Sequence, residues 1–190
     1  VLVAGRCIST DRYMQSSIRV MPGCFITGQA TGMAAAVAVE KGTDTRGVPV
    51  IALAGTCMEA GKTAAACAMV SRMRHRGLIV DAFKATGVSL RRDILAMEDA
   101  GARNSMIFTD LGVITTTRKT GPALTRTMLT ELAANKPDAI VFELGDGILG
   151  TYGVDSILED EEIRRSLTGV VLSANDPVAA WGGVKLLRER

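Results

Sequence analysis

The sequence predicts an α/β fold of three layers built on a mostly parallel sheet. Three observations predict it. Short apolar runs alternate with helix-period segments from residue 50 onward. The runs are apolar almost throughout, as strands are when both sheet faces are covered. The stretches between them are long enough for helical crossovers, which join parallel strands with a right-handed turn.

The elements follow in order. VLVAGRCIST (1–10) reads as a strand and then a loop, and PGCFITGQATGMAAAVAVEKG (22–42) as a small-residue helix closed by Gly42. This gives a strand-loop-helix segment over residues 1–48, which ends in the turn-forming linker TDTRGVP (43–49). VIALA (50–54) is a strand, and a helix runs from Lys62 to Arg76 and stops at Gly77. LIVDAF (78–83), SMIFTD (105–110), DAIVFE (138–143) and GVVLSAN (169–175) are the further strands. Helices fall at 89–102, at 122–135, over VDSILEDEEIRRS (154–166) and over DPVAAWGGVKLLRE (176–189). Residues 49–190 thus form the main domain.

The chain has 190 residues, enough for one domain or one domain with a fragment attached. It opens on Val1 inside a strand, with no signal-peptide pattern, and reads as an excised segment. A net charge of +2 gives no field that would gather nucleic acid or an anionic membrane. Aromatics at 4% are too few for base-stacking platforms. No run of 18 apolar residues predicts a membrane span. Cys7, Cys24, Cys57 and Cys67 show no C-x2-C spacing, so zinc is not expected; the thiols read as reduced, in a cytoplasmic protein.

The chemistry concentrates at Gly55-Thr-Cys-Met-Glu-Ala-Gly61-Lys62-Thr63. Glycines let a backbone approach phosphate oxygens, and successive N–H groups at a helix start supply positive potential. A lysine and a hydroxyl then reach the terminal phosphates and Mg²⁺. The usual spacing is G-x4-G-K-[ST]; here five residues separate Gly55 from Gly61, and Thr56 stands where the first glycine is expected. The expected nucleotide contacts are Gly55, Thr56, Glu59, Ala60, Gly61, Lys62 and Thr63, within a three-layer P-loop NTPase fold. Lys62 takes the β- and γ-phosphates and Thr63 takes Mg²⁺. Lys84, at the end of a strand, is a second cation for a transferring phosphoryl group. Glu143 ends another strand and suits Mg²⁺ or its water shell. Asp146 lies in the next turn between two glycines and reads as a metal or substrate ligand, or as a turn residue. Asn175 reads as a base contact or as part of a turn and helix cap. His75, in a basic helix end, is assigned no chemistry.

GTCMEAGKT resembles the phosphate loop of dethiobiotin synthetase and its relatives, where G-T-x4-G-K-T is typical. Phe83-Lys84-Ala85-Thr86-Gly87 is similar to that family's K-P-x-x-(T/S)-G segment, and Glu143-Leu144-Gly145-Asp146-Gly147 to its E-G-A-G-G. A nearer likeness is to uncharacterised P-loop proteins described as molybdopterin-guanine-dinucleotide-biosynthesis-like. The resemblance implies ATP and Mg²⁺, with Lys62 and Lys84 catalytic and Thr63, Glu143 and Asp93 around the metal. Asp110 competes with Asp93 for that place. Arg91 and Arg92 are an anion site or surface cover, and Thr115, Thr116 and Thr117 a hydroxyl-rich loop on the substrate side. No N-K-x-D guanine signature is present, so ATP is preferred over GTP. A small acidic acceptor and a homodimer are the partners implied.

Residues 1–42 resemble a different family. G-R-x-I-S, then R-x-x-P-x-C-x-x-T-G-Q-A-x-G-x-A-A, is the pattern of the C-terminal flavin-contacting segment of FAD-dependent oxidoreductases. It would set Gly28, Gln29 and Ala30 toward a flavin, with Arg6 and Arg19 near. The amino-terminal G-x-G-x-x-G fold of that family is missing, so FAD is not expected on this chain alone. Three functions therefore compete: Mg²⁺-ATP-dependent phosphoryl transfer or hydrolysis, a GTP- or ATP-responsive adapter in cofactor biosynthesis, and an oxidoreductase remnant.

Overall fold

The computed structural model describes residues 2–4, 47–88 and 90–189. Six strands form one sheet: β1 (Leu2–Ala4), β2 (Val50–Gly55), β3 (Val80–Lys84), β4 (Ser105–Ile107), β5 (Ala139–Glu143) and β6 (Leu167–Ser173). Their order is β1-β6-β2-β5-β3-β4, and every pair is parallel. The α/β class with a parallel sheet between helices is therefore the observed one. The helix expected over 22–42 lies outside the described residues.

The helices are α1 (Lys62–His75), α2 (Arg91–Asp99), α3 (Gly121–Ala134), α4 (Val154–Glu159), α5 (Glu161–Ser166) and α6 (Pro177–Arg188). The crossovers β2→β3 and β3→β4 step one way along the sheet, and β4→β5 and β5→β6 step the other. With right-handed crossovers this puts α1 and α2 on one face and α3, α4 and α5 on the opposite face. The packing agrees, since α1 touches α2 while α3 touches α4 and α5. Helix α6 lies against β6.

The core runs between these layers. Strands β2, β3 and β5 are buried along their whole length. Phe83 and Phe142 are register partners on β3 and β5, and their rings stack 4.7 Å apart. Such a pair contributes about 0.5–1.5 kcal/mol beyond its burial. Asp81 sits fully buried in β3. Its oxygens accept from Arg103 Nε at 3.0 Å, Arg103 Nη2 at 2.8 Å and the Asn104 side chain, so a carboxylate is tolerated in the strand's interior.

The strands expected at 78–83 and 169–175 run Val80–Lys84 and Leu167–Ser173, the helix expected at 89–102 runs Arg91–Asp99, and two further elements differ in kind. The strand read over 105–110 ends at Ile107, and Phe108–Leu111 coil into a 3-10 turn. The Asp110 carboxylate accepts from the Ile107 N–H at 2.9 Å, and Gly112 closes the turn at φ +78. The helix read over 154–166 is broken at Asp160, whose extended backbone ends α4. Its Oδ1 accepts from the Ile163 N–H at 3.1 Å and so caps α5.

Candidate functional site

Neighbouring strands β2 and β5 send their crossovers in opposite directions, which opens a crevice between their carboxyl ends. The loop 56–61 fills one wall. Its first N–H, on Thr56, donates to the Ser173 carbonyl at 3.0 Å, which fastens it to β6. Glu59 and Gly61 take positive φ values of +56 and +93, and Gly61 turns the chain into α1. Ala60 is buried under the loop.

Lys62 is the first residue of α1, and its side chain folds back over Gly55. A Cβ on Gly55 would lie 2.8 Å from the lysine Cδ and Nζ, so this position admits no side chain without displacing Lys62. The Lys62 ammonium donates to the Cys57 carbonyl at 2.8 Å. Burial pushes its pKa down, against the opposing pull of Glu143, Cys57 and Asp146. Thr63 Oγ1 donates to Glu143 Oε2 at 2.9 Å across the crevice. Glu143 is 4% exposed, and burial holds its carboxyl above the ordinary range although Lys84, the Thr63 hydrogen bond and Lys62 all pull it down.

Lys84 is the register partner of Glu143 on β3. Its ammonium is hydrogen-bonded to Asp93 of α2, and both groups are largely covered. The cluster thus contains two cations, Lys62 and Lys84, and two anions, Glu143 and Asp93. Asp110 stands apart from it, on the Ile107 N–H and 3.5 Å from Arg91. Arg91 and Arg92 are surface side chains. Asn175 is exposed, yet its Nδ2 lies 3.0 Å from Cys57 Sγ, which ties it to the 56–61 loop. The next residue, Asp176, caps α6 through the Val178 and Ala179 N–H groups.

The threonine loop divides. Thr116 is buried, accepts from the Gly87 N–H at 3.2 Å and donates to the Tyr152 carbonyl at 2.8 Å. It is a clip between loops. Thr115 is bridged to Val88, and Thr117 exchanges hydrogen bonds with Thr120.

The sequence singles out the loop after β5 through Glu143, Asp146 and the glycines on either side of Asp146, and the structure adds what those glycines pack against. A Cβ on Gly147 would come within 2.7 Å of the Thr56 carbonyl, and one on Gly145 would collide with the Thr86 carbonyl. The Ile148 N–H donates to the Gly55 carbonyl at 2.8 Å. These glycines let three strand-end loops close on one another. Their spacing, two glycines one residue apart just after a strand, was the signal available.

Among the described residues, no group of three or more His, Cys, Asp or Glu side chains would hold a metal ion. Thr63 and Glu143 offer two oxygens. Such a pair fits Mg²⁺, which keeps much of its shell as water and substrate phosphate.

The fold and crevice define an α/β chain with a lysine, a threonine and a glutamate assembled at the carboxyl ends of two adjacent parallel strands. Comparison with known proteins adds one similarity. A family model described as FAD dependent oxidoreductase matches residues 1–56, a stretch that takes in β1 and β2 and ends at Thr56. No curated protein matches the chain. No helix among the described residues is long and apolar enough to cross a membrane.

Proposed function

We propose that the loop 55–63 binds the phosphates of a nucleoside triphosphate, ATP in preference to GTP, and that the chain transfers or hydrolyses the γ-phosphoryl group. The Thr63–Glu143 hydrogen bond carries this reading. It places a hydroxyl at the head of a helix against a buried carboxylate, with the Lys62 ammonium on the adjacent residue. Gly55, Thr56, Glu59, Ala60 and Gly61 form the cradle, and Asn175 flanks it. Gly61, in the left-handed region, leads directly into α1, and the first N–H groups of a helix favour an anion. Thr63 and Glu143 would hold Mg²⁺, which supplies charge neutralisation between phosphate oxygens. Lys62 and Lys84 hold the phosphate charge from two sides, and Asp93 keeps Lys84 in place. The acceptor in this reading is water or a small acidic metabolite drawn to the Lys84 side.

Calorimetric titration with ATP and GTP in the presence of Mg²⁺ tests the reading. Lys62→Ala removes a charge-assisted phosphate contact, so the Kd for Mg²⁺-ATP should rise by about 10- to 100-fold. An unchanged Kd in that variant defeats the proposal.

A second reading is favoured by the family match over residues 1–56. In it, the first 48 residues are the remnant of a flavin-contacting segment, fused to the nucleotide domain at 49–190. Flavin absorbance of the purified chain separates a working remnant from a silent one.

A further inference from the structure

Four acidic side chains at the carboxyl edge of the sheet have hydrogen-bond or ion-pair partners. Glu143 accepts from Thr63, Asp93 holds Lys84, Asp110 serves Ile107 and Arg91, and Asp176 caps α6. Asp146 makes no hydrogen bond or ion pair to another described residue. Its side chain lies over Gly150, where any Cβ would collide with its carboxylate. Its backbone sits at φ +71, a region that glycine adopts freely and that aspartate enters more readily than most residues.

The position is also fixed. Thr86 Oγ1 donates to the Gly145 carbonyl at 3.0 Å, and Gly147 lies against Thr56. The Ile148 N–H holds the Gly55 carbonyl at 2.8 Å. Asp146 is therefore carried on a loop sewn to both the 55–61 loop and the end of β3. Its charge is felt at the Lys62 ammonium. Glu59, the other acidic residue of this edge at positive φ, lies exposed on the outer turn.

We propose that Asp146 is a catalytic residue that orients the attacking hydroxyl or water and receives its proton. This rests on the nucleoside triphosphate reading above. With water as acceptor, the water oxygen forms a bond to the γ-phosphorus. The bond from that phosphorus to the bridging oxygen breaks, and its electron pair stays on the diphosphate. The proton lost by the water passes to the Asp146 carboxylate and from there to solvent.

The test uses the full chain with Mg²⁺-ATP, and reads binding by calorimetry, phosphate release and Tm. Asp146→Asn keeps the shape and the tolerance of positive φ; Asp146→Gly relieves the backbone. Both should bind Mg²⁺-ATP with a Kd near that of the wild type and release phosphate about 100-fold more slowly. The Tm of Asp146→Gly should equal or exceed that of the wild type. Phosphate release in Asp146→Asn within about threefold of wild type overturns the proposal. Recovery of the lost rate at raised Mg²⁺ overturns it too, by making Asp146 a metal ligand. A wild type that binds Mg²⁺-ATP but releases no phosphate overturns this proposal alone, and a wild type that does not bind overturns the nucleotide reading with it.

Discussion

Glu143 and Lys62 are buried charges whose pKa values move toward their neutral forms, Glu143 upward and Lys62 downward, with burial the leading cause in each. Both therefore lower the stability of the folded chain near neutral pH. For Glu143 the folded state holds its proton more tightly than the unfolded chain does. The cost is complete above the folded pKa and vanishes as pH falls toward the ordinary glutamate value of 4.5. Glu143→Gln keeps an acceptor for Thr63 and removes the charge. Its Tm should exceed that of the wild type at pH 8, with the gap closing as pH falls; thermal melts across that range check it. A variant that melts lower at pH 8 would show that Lys62 and Lys84 repay the burial in full. The sequence singles out Lys62 by G-K-T at a strand–helix junction and Glu143 by its place at the end of an apolar strand. The pairing of Lys84 with Asp93 was not legible, because it depends on where α2 sits over β3. The exposure of Asp146 to Lys62 was hidden for a similar reason, since it follows from loop-to-loop contacts across the sheet edge.

At the scale of elements, long helices and buried strands were legible and their ends less so. The helix α1 was read to within a residue, since Gly77 stops it and basic residues fill its last turn. The 154–166 stretch was read as one helix because its polarity is continuous. Local hydrogen bonding decided otherwise: an Asp side chain that reaches the N–H three residues ahead competes with the helix it sits in. Asp160 serves three elements at once, ending α4, capping α5 and pairing with Arg126 of α3. Asp160→Ala should cost about 1–2 kcal/mol in chemical denaturation, a lost cap plus a partly covered ion pair. Asp160→Asn retains the cap and should cost less than half as much. Equal losses in the two variants would assign the effect to the charge, and no loss in either would remove the cap from the account.

At the scale of the molecule, apolar runs and crossover lengths foretold a parallel sheet but not its strand order. The insertion of β5 between β2 and β3 creates the crevice, and no local pattern announces it. The order also bears on the flavin question. Strand β1 joins the sheet beside β6, with Ala4 level with Ser173 and Gly55 level with Ser173 on the other side. The similarity to FAD-dependent oxidoreductases over residues 1–56 therefore belongs to a chain whose sheet is shared with the proposed nucleotide site. Retention of FAD needs a seat for its diphosphate, which a G-x-G-x-x-G turn supplies when it opens directly into a helix. The single run with that spacing is Gly145-Asp-Gly-Ile-Leu-Gly150. It is closed to a diphosphate on two counts. Thr86 and Thr56 carbonyls occupy the space beside Gly145 and Gly147, and the next helix starts only at Val154 and lasts six residues. The purified chain should accordingly show no flavin absorbance, and after incubation with excess FAD and gel filtration it should carry none, while Mg²⁺-ATP binding by the same sample is unaffected. About one FAD per chain surviving that step would place a diphosphate site elsewhere in the molecule and give the first 48 residues an active role.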